Sequence, residues 1–271
     1  MVKIVLSFIF ITSAMFGSMI DEKIKSFVGE KNFYSTKKII NILLGDKKQY
    51  YRSNGSIKVV KLLKVLKKNG FIKLDLERVN TINITFTTQG NSLLFLKIIN
   101  NVLNSMGFNF YITKRAIKSD DSFSWEIQMN TEYLVDPVVL ADELKKYGCF
   151  ITDIKKEDRS NWHYFISTTN AKIASKKISP NTSYRLNRPI KSYWLGLDDT
   201  LHTLHIISFS SNSWHPYIVF YDHALKILHV YSNDGIKKSL KLNIPKNTKY
   251  ISIDDKYTLN NIRSGLKIYG K

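Results

Sequence analysis

The residue types that could bind a metal ion are concentrated in one segment of the C-terminal third. Five of the six histidines lie in residues 202–229, and Asp199 is close by. A zinc site needs imidazole and carboxylate ligands that converge on one point. His202 and His205 would share one face of a helix, but in a strand a spacing of three turns them to opposite faces. The segment has the pattern of a strand, so structural histidines are favoured and no cofactor is predicted. His202, His205 and Asp199 remain the metal-ligand candidates.

The residues suited to covalent catalysis give no recognisable constellation. The single cysteine, Cys149, can form no intramolecular disulfide. It follows a glycine in the same way as Phe71 and Phe108, which predicts a buried packing position. The sequence contains no glycine-flanked serine elbow, no zinc-protease helix motif and no phosphate-binding glycine loop. The sequence therefore favours a protein that is not an enzyme, although two distant carboxylates could still meet as a glycosidase pair.

Aromatic residues in the C-terminal part are the candidates for binding a sugar or a partner protein. They are Trp194, Trp214, Tyr217 and Tyr221. Both tryptophans lie beside turns, so we expect them to be exposed and able to stack on sugar rings. The tyrosines could equally be core or cross-strand residues.

The elements that would carry these residues begin with a repeat. Three apolar helices each stop at a glycine, at Gly70, Gly107 and Gly148, and each runs into alternating strands. The spacing predicts repeated αββ units over residues 56–170. The predicted order is a split β-α-β arrangement, an antiparallel sheet with helices on one face.

Two surfaces of these helices are candidates for interaction. The helix predicted over residues 92–106 is apolar well beyond one face, so it is either the most buried helix or carries a surface for a partner, and Phe95 lies on its main stripe. The first helix of the repeat carries a separate lysine face of Lys58, Lys61, Lys64 and Lys68.

The pattern changes after a predicted linker over residues 171–190. Short apolar runs then recur at intervals of about ten residues, separated by turns. Asn233-Asp234-Gly235 is the strongest hairpin signal. Residues 191–271 are therefore predicted to form a small all-β sandwich, and the fold class of the whole chain is α+β.

The first 18 residues have the features of a secretory signal peptide. A short basic start precedes the apolar run of residues 4–11, and small residues follow. An uncleaved anchor is the alternative. A helical lead segment is expected over residues 19–55. No later stretch is long and apolar enough to span a bilayer, so the mature protein is not predicted to be an integral membrane protein. We expect it in the periplasm.

The formal net charge of +19 predicts attraction to anionic material. Thirty-four of the 41 basic residues are lysines, and they are scattered along the chain. Nucleic-acid sites usually rely on clustered basic residues. The sequence therefore favours a solvated basic surface or anionic envelope material, and no nucleic acid is predicted as a partner.

Two resemblances extend this interpretation. The segment 82–112, an alternating strand and an apolar helix that ends in Met106-Gly107-Phe108-Asn109-Phe110, resembles the small periplasmic modules that precede secretin channels. The segment 136–166 is similar to the next module of those proteins. The resemblance implies a ring-building or docking module without an active site, although a channel-forming domain is missing. The signal peptide, the richness in lysine and asparagine and the three-unit layout also resemble uncharacterised periplasmic proteins of flagellated epsilon-class bacteria.

These observations lead to one main hypothesis and two alternatives. The main hypothesis is a non-catalytic exported protein that assembles with itself or docks on envelope proteins of a flagellar or secretion-type structure. Its C-terminal β domain would bind a partner protein, peptidoglycan or another wall glycan. The first alternative is an envelope glycan or cell-wall hydrolase, or a metal-dependent enzyme, with its site in the histidine-rich domain. The second is a solute-sensing module, which would need a sizeable apolar pocket.

Overall fold

A computed structural model of the chain describes residues 19–173 and 175–271. The chain divides into two compact units, Met1–Ala171 and Lys172–Lys271. The first combines helices and a sheet and the second is built from strands, which confirms the α+β fold class. The predicted signal peptide lies outside the described residues. Within the described ranges, no helix has the length and apolar character needed to cross a membrane.

The first unit begins with a helical lead segment and continues as helices and strands. Its elements are α1 (residues 19–28), α2 (Glu30–Leu44), a 3-10 turn (Lys47–Tyr50), α3 (Val59–Lys68), β1 (Asp75–Thr88), α4 (Ser92–Ser105), β2 (Ile112–Lys118), β3 (Phe123–Tyr133), α5 (Pro137–Lys145), β4 (Phe150–Lys156) and β5 (Asn161–Ser167). The start of α5 matches its sequence signal, because the Asp136 carboxylate accepts hydrogen bonds from the backbone N–H groups of Val138 and Val139.

The five strands form one sheet in the order β2-β3-β1-β5-β4. The pair β1–β5 is parallel and the other three pairs are antiparallel. β3 lies between β1 and β2, which α4 connects, so these elements form the predicted split β-α-β unit. The hairpin β4–β5 extends the sheet on the other side of β1.

One face of this sheet carries the core. Buried and partly exposed residues alternate along β1, β3 and β5, as expected when helices cover a single face. Phe86 of β1 lies between Trp125 and Tyr164, with ring centroids 6.3 Å and 5.6 Å away. The buried Tyr164 hydroxyl donates to the Val135 carbonyl at 3.1 Å. Packing of rings from three strands therefore fixes the centre of the sheet.

The three glycines at the helix ends adopt the same conformation. Gly70, Gly107 and Gly148 have φ values of 76°, 89° and 71°. After each glycine, the next backbone N–H donates to a carbonyl five residues earlier, as in Phe71 to Leu66. These are the bonds of a Schellman motif, which requires the left-handed backbone that glycine adopts most easily. The predicted repeat of glycine-stopped helices is confirmed.

Two strand predictions in this unit are wrong. The first αββ unit has a single strand, β1, because the mostly polar residues 77–81 are a bulged part of that strand and not a turn. The alternation of Phe108, Phe110 and Ile112 predicts that the second hairpin begins at Phe108, but β2 begins at Ile112. β2 is exposed on both faces, so its sequence shows no alternation of apolar and polar residues. The alternating aromatic residues just before β2 therefore gave a wrong position for the start of the strand.

The described residues of the second unit form nine strands. They are β6 (Lys176–Ile178), β7 (Ser183–Leu186), β8 (Tyr193–Leu197), β9 (Thr203–Ser208), β10 (Pro216–Tyr221), β11 (Ile227–Ser232), β12 (Ser239–Asn243), β13 (Tyr250–Asp255) and β14 (Leu266–Gly270), with a 3-10 turn at Leu259–Ile262. One sheet has the order β11-β10-β13-β8-β6 and the other β12-β9-β14-β7. Ile218 and Ile253 of the first sheet and Leu204 and Ile268 of the second belong to one buried cluster, so the two sheets form a sandwich.

Two predictions in the second unit are corrected. Residues 171–190 are not a plain linker, because they contain β6 and β7. These strands are too short to show an alternating pattern. Asn233-Asp234-Gly235 is a turn but not a hairpin, because β11 pairs with β10 and β12 pairs with β9. The turn carries the chain from one sheet to the other.

Cys149 occupies a packing position, as the repeat predicts. Its side chain is buried, and burial raises the pKa of its thiol to about 11. At neutral pH the side chain is therefore a neutral thiol.

We expect Cys149 to be inert toward thiol reagents while the protein is folded. At pH 8 a thiol of pKa about 11 is only about one part in a thousand thiolate, and the side chain is shielded from solvent. Reaction with a chromogenic disulfide reagent should be negligible in buffer and stoichiometric in urea. Full labelling of the folded protein at the rate seen in urea would show that the site is open.

Candidate functional site

The outer edge of β2 is an exposed sheet edge. β2 pairs with β3 on one side, and no other described strand pairs with it. All seven residues of β2 are exposed. An edge strand of this kind presents unpaired backbone N–H and C=O groups to which another extended chain can add.

Apolar side chains accompany this edge. Phe110, just before β2, is 90% exposed, and Ile112 and Ile117 are 62% and 50% exposed. A recess of about 410 Å³ lies beside them, lined by residues 109–112 and 128–130. Exposed apolar groups gathered along one edge are typical of an interaction surface.

The same edge is positively charged. Lys114, Arg115 and Lys118 lie on β2, which has no acidic residue. Glu126 of β3 forms ion pairs with Arg115 at 3.0 Å and with Lys114 at 3.7 Å. A register shift also lies between Thr113 and Arg115. Lysines and bulges on edge strands discourage pairing between identical copies.

The opposite edge of the sheet, β4, is partly covered, with four of its seven residues buried or half-buried. The Arg52 guanidinium donates to the carbonyls of Thr152 at 3.1 Å and Ile151 at 3.3 Å. It also donates to the Ile57 carbonyl at 3.0 Å and the Ser56 hydroxyl at 3.2 Å. Arg52 therefore ties the chain before α3 to β4 and satisfies backbone acceptors that an open edge would expose.

The helix α1 adds to this cover. Phe27 packs on Trp162 with ring centroids 5.9 Å apart. The Lys156 ammonium donates to the Phe27 carbonyl at 2.8 Å, and Lys23 pairs with Asp153 at 2.5 Å. Burial lowers the pKa of Lys156, with a further contribution from nearby Arg159. The lead segment thus covers part of this edge of the sheet.

The face of this sheet opposite the helices is polar and internally hydrogen-bonded. The Gln128 amide donates to Asn83 at 2.9 Å, and Asn83 donates to Asn161 at 2.8 Å. Thr87 donates its hydroxyl proton to Ser124 at 3.0 Å, and its oxygen lies 2.8 Å from Nε2 of His163. All these residues lie at the outward positions of alternating strands. The same alternation in the sequence is the signal by which this polar group could have been predicted.

The hydroxyl and imidazole of this group resemble part of a catalytic arrangement. Desolvation, and then Lys155, lower the pKa of His163, so the ring is neutral at pH 7. The Thr87 hydroxyl is shared between Ser124 and the imidazole, and the tautomer of His163 sets which of Thr87 and His163 donates. His163 also stacks on Phe165 at 4.0 Å. These contacts are those of a cross-strand network.

A shallow cleft lies at one end of this face. Its volume is about 530 Å³. Its lining is rich in hydroxyl groups and contains the Phe165 ring: the residues are 87–90, 122, 152 and 165–169. Phe165 and Ile166 are the only apolar residues of this lining, whereas a solute-sensing pocket would be lined predominantly by apolar side chains.

The three metal-ligand candidates do not come together. His202 is exposed and precedes β9, whereas Nε2 of His205 on β9 lies 2.7 Å from the Ser239 hydroxyl. Asp199 forms an ion pair with Lys249 at 3.0 Å. Within the described residues, no group of three or more His, Cys, Asp or Glu side chains could hold a metal ion.

The aromatic candidates separate into two environments. Trp194 stacks on Tyr221 with centroids 5.0 Å apart, and Tyr217 is 39% exposed. Trp214 was expected to be exposed, but it is fully buried and its indole N–H donates to the Asp254 carbonyl at 2.9 Å. Its place beside a turn was misleading because that turn folds over the end of the sandwich core.

The helical candidates also differ from expectation. Phe95 is completely buried and packs edge-to-face on Phe123 at 6.2 Å, so it is a core residue and cannot contact a partner. Lys58 and Lys61 donate to Gln49 and hold the turn before α3. Lys64 and Lys68 are exposed.

Comparison of the chain with protein-family models, with curated proteins and with solved structures finds no match. The candidate site is therefore defined by the geometry of the sheet edges alone.

We expect Arg52→Ala to loosen the covered edge. It removes four hydrogen bonds from a charged donor, and we expect the free energy of unfolding to fall by about 1–3 kcal/mol. Urea unfolding of the full chain measures the loss, and hydrogen exchange should speed up in residues 150–156. The exposed Arg78→Ala is the matched control. Equal stability of the two variants would show that Arg52 does not hold this edge.

Proposed function

We propose that this protein is a non-catalytic docking component of an envelope structure, and that it binds a partner protein through the outer edge of β2. The observation that carries the proposal is the contrast between the two sheet edges. The lead segment covers part of β4 with Arg52 and α1, whereas all seven residues of β2 are exposed. A covered and an open edge on one sheet indicate a specific role for the open one.

The proposed mode of binding is addition of a strand. An extended segment of the partner would pair with the backbone of β2, and alternate side chains would contact Ile112 and Ile117. Phe110 and the adjacent recess offer a pocket for one apolar side chain of the partner. Backbone bonds would supply affinity and these apolar contacts specificity.

The charge on β2 favours an acidic partner over a second copy. Two copies of β2 would bring two groups of three cations together, and the single Glu126 carboxylate offsets only one charge in each group, so the remaining repulsion costs free energy at close range. An extended segment rich in Asp and Glu would instead complement Lys114, Arg115 and Lys118. Of the two expectations, self-assembly and docking on another protein, we therefore propose docking on another protein.

The proposal also includes compartment and context. The basic and apolar pattern of residues 1–18 supports export to the periplasm. The resemblance to secretin-associated modules supports a role in a flagellar or secretion-type structure. The C-terminal sandwich would add a second contact, to wall glycan or to another protein.

The test locates the partner on β2. A photo-crosslinking amino acid placed at Phe110 of the full chain in its native cells should capture one polypeptide, and mass spectrometry should place the cross-link on an acidic extended segment. The variant Ile112→Asp/Ile117→Asp should bind that purified polypeptide at least about tenfold more weakly, because it removes apolar contacts and adds repulsion.

The control makes the same two Ile→Asp substitutions at exposed positions away from β2. Ile190→Asp/Ile236→Asp replaces two isoleucines of the second unit that are 97% and 53% exposed. This variant should bind like the unmodified protein. Equal loss in both variants, or a cross-link that maps to a folded acidic surface and not to an extended segment, would contradict strand addition at β2.

A further inference from the structure

The charges of the second unit are segregated between its two sheets. Residues 172–271 contain 16 lysines and arginines, six aspartates and no glutamate. All six aspartates belong to the five-stranded sheet or to the turns that leave its strands β8, β10, β11 and β13: they are Asp198, Asp199, Asp222, Asp234, Asp254 and Asp255. The strands of the other sheet, β7, β9, β12 and β14, contain no acidic residue.

The ion pairs of this unit follow the same division. Lys177, Lys249 and Lys256 pair with Asp198, Asp199 and Asp234, all next to the five-stranded sheet. Among the described residues, no carboxylate pairs with Lys241, Lys267 or Arg185, which lie on the four-stranded sheet. Their charge is therefore not neutralised within this unit.

These three cations lie on the outer face of the four-stranded sheet. The strand register places Lys241 of β12 beside His205 of β9 and Tyr269 of β14. The next row of the same face brings Lys267 of β14 beside Arg185 of β7. The alternating side chains, including Leu204 and Ile268, point into the buried core, so the basic side chains point to solvent.

The face is wide as well as basic. Lys241 and Arg185 lie on the two outermost strands, and three strand spacings put these strands about 14 Å apart. This distance is too large for the cations to converge on one small anion. It suits a ligand that presents several negative charges in a row.

We propose that the outer face of the four-stranded sheet binds a linear anionic polysaccharide. The basic side chains would pair with its carboxylate or phosphate groups. The His205 imidazole, whose Nε2 lies 2.7 Å from the Ser239 hydroxyl, would bond a sugar hydroxyl through Nδ1, and the Tyr269 hydroxyl, which donates to Asn181, would accept from one. Single-stranded nucleic acid fits less well, because it uses rows of open aromatic rings. Here the Phe209 ring lies under the Arg185 guanidinium at 4.8 Å.

This inference deepens the proposed function by naming the class of glycan that the C-terminal domain would bind. It uses a surface separate from β2. The variant Ile112→Asp/Ile117→Asp should therefore keep polysaccharide binding, so the two proposals can fail independently.

The experiment measures binding of the full chain to polygalacturonate, with neutral dextran as the uncharged control. Lys241→Gln/Lys267→Gln/Arg185→Gln should weaken binding about tenfold or more and lower the salt dependence by about two to three units of slope. A matched variant, Lys172→Gln/Lys191→Gln/Lys226→Gln, removes the same charge from exposed positions elsewhere in the unit. It should weaken binding less than threefold.

Two results would contradict polysaccharide binding at this face. Equal losses in the two variants would mean that net charge alone attracts the polymer, and the proposed face would be rejected. Tighter binding, at the same salt, to a single-stranded oligonucleotide or to phosphatidylglycerol vesicles than to polygalacturonate would assign the face to a different ligand. Circular dichroism of each variant confirms that it is folded.

Discussion

The N-terminal unit depends on β1, because this strand is hydrogen-bonded on both sides to strands that come much later in the chain. β3 pairs with it in antiparallel register and β5 in parallel register. Phe86 at its centre joins the rings of Trp125 and Tyr164 into one buried layer. Two hairpins are thereby fixed to either side of one strand, and each brings an outer edge to the sheet.

Those two edges differ in how far other parts of the chain cover them. Arg52 of the lead segment donates hydrogen bonds to carbonyls of β4 that lie about one hundred residues later in the chain. Nothing comparable in the described residues covers β2, whose lysines and register shift discourage pairing with a second copy. This asymmetry is the physical basis of our proposal that a different, acidic partner docks on β2. The second unit shows a similar asymmetry in its charge, with one neutralised sheet and one basic sheet.

Local signals in the sequence predicted the framework well. Glycine at each helix end, Asp136-Pro137 at the start of α5 and the regular short strands of the sandwich all depend on neighbouring residues, and each appears in the structure. The candidate site depended on pairings across the chain. Which strand becomes an edge, and whether Arg52 reaches it, follows from the order of the sheet, which no local pattern contains. Phe95 and Trp214 were misassigned for the same reason, since burial on all sides is a tertiary property.

Hydrogen exchange measured by NMR on the full chain, alone and bound to its captured partner, tests the central claim most directly. In the free protein, the amides of β2 that point away from β3 should exchange rapidly, because no described residue accepts from them. In the complex, those same amides within Ile112–Lys118 should become strongly protected, since each would bond to the added strand. Unchanged exchange along β2 in a saturated complex, with protection appearing on another surface, would contradict docking at this edge.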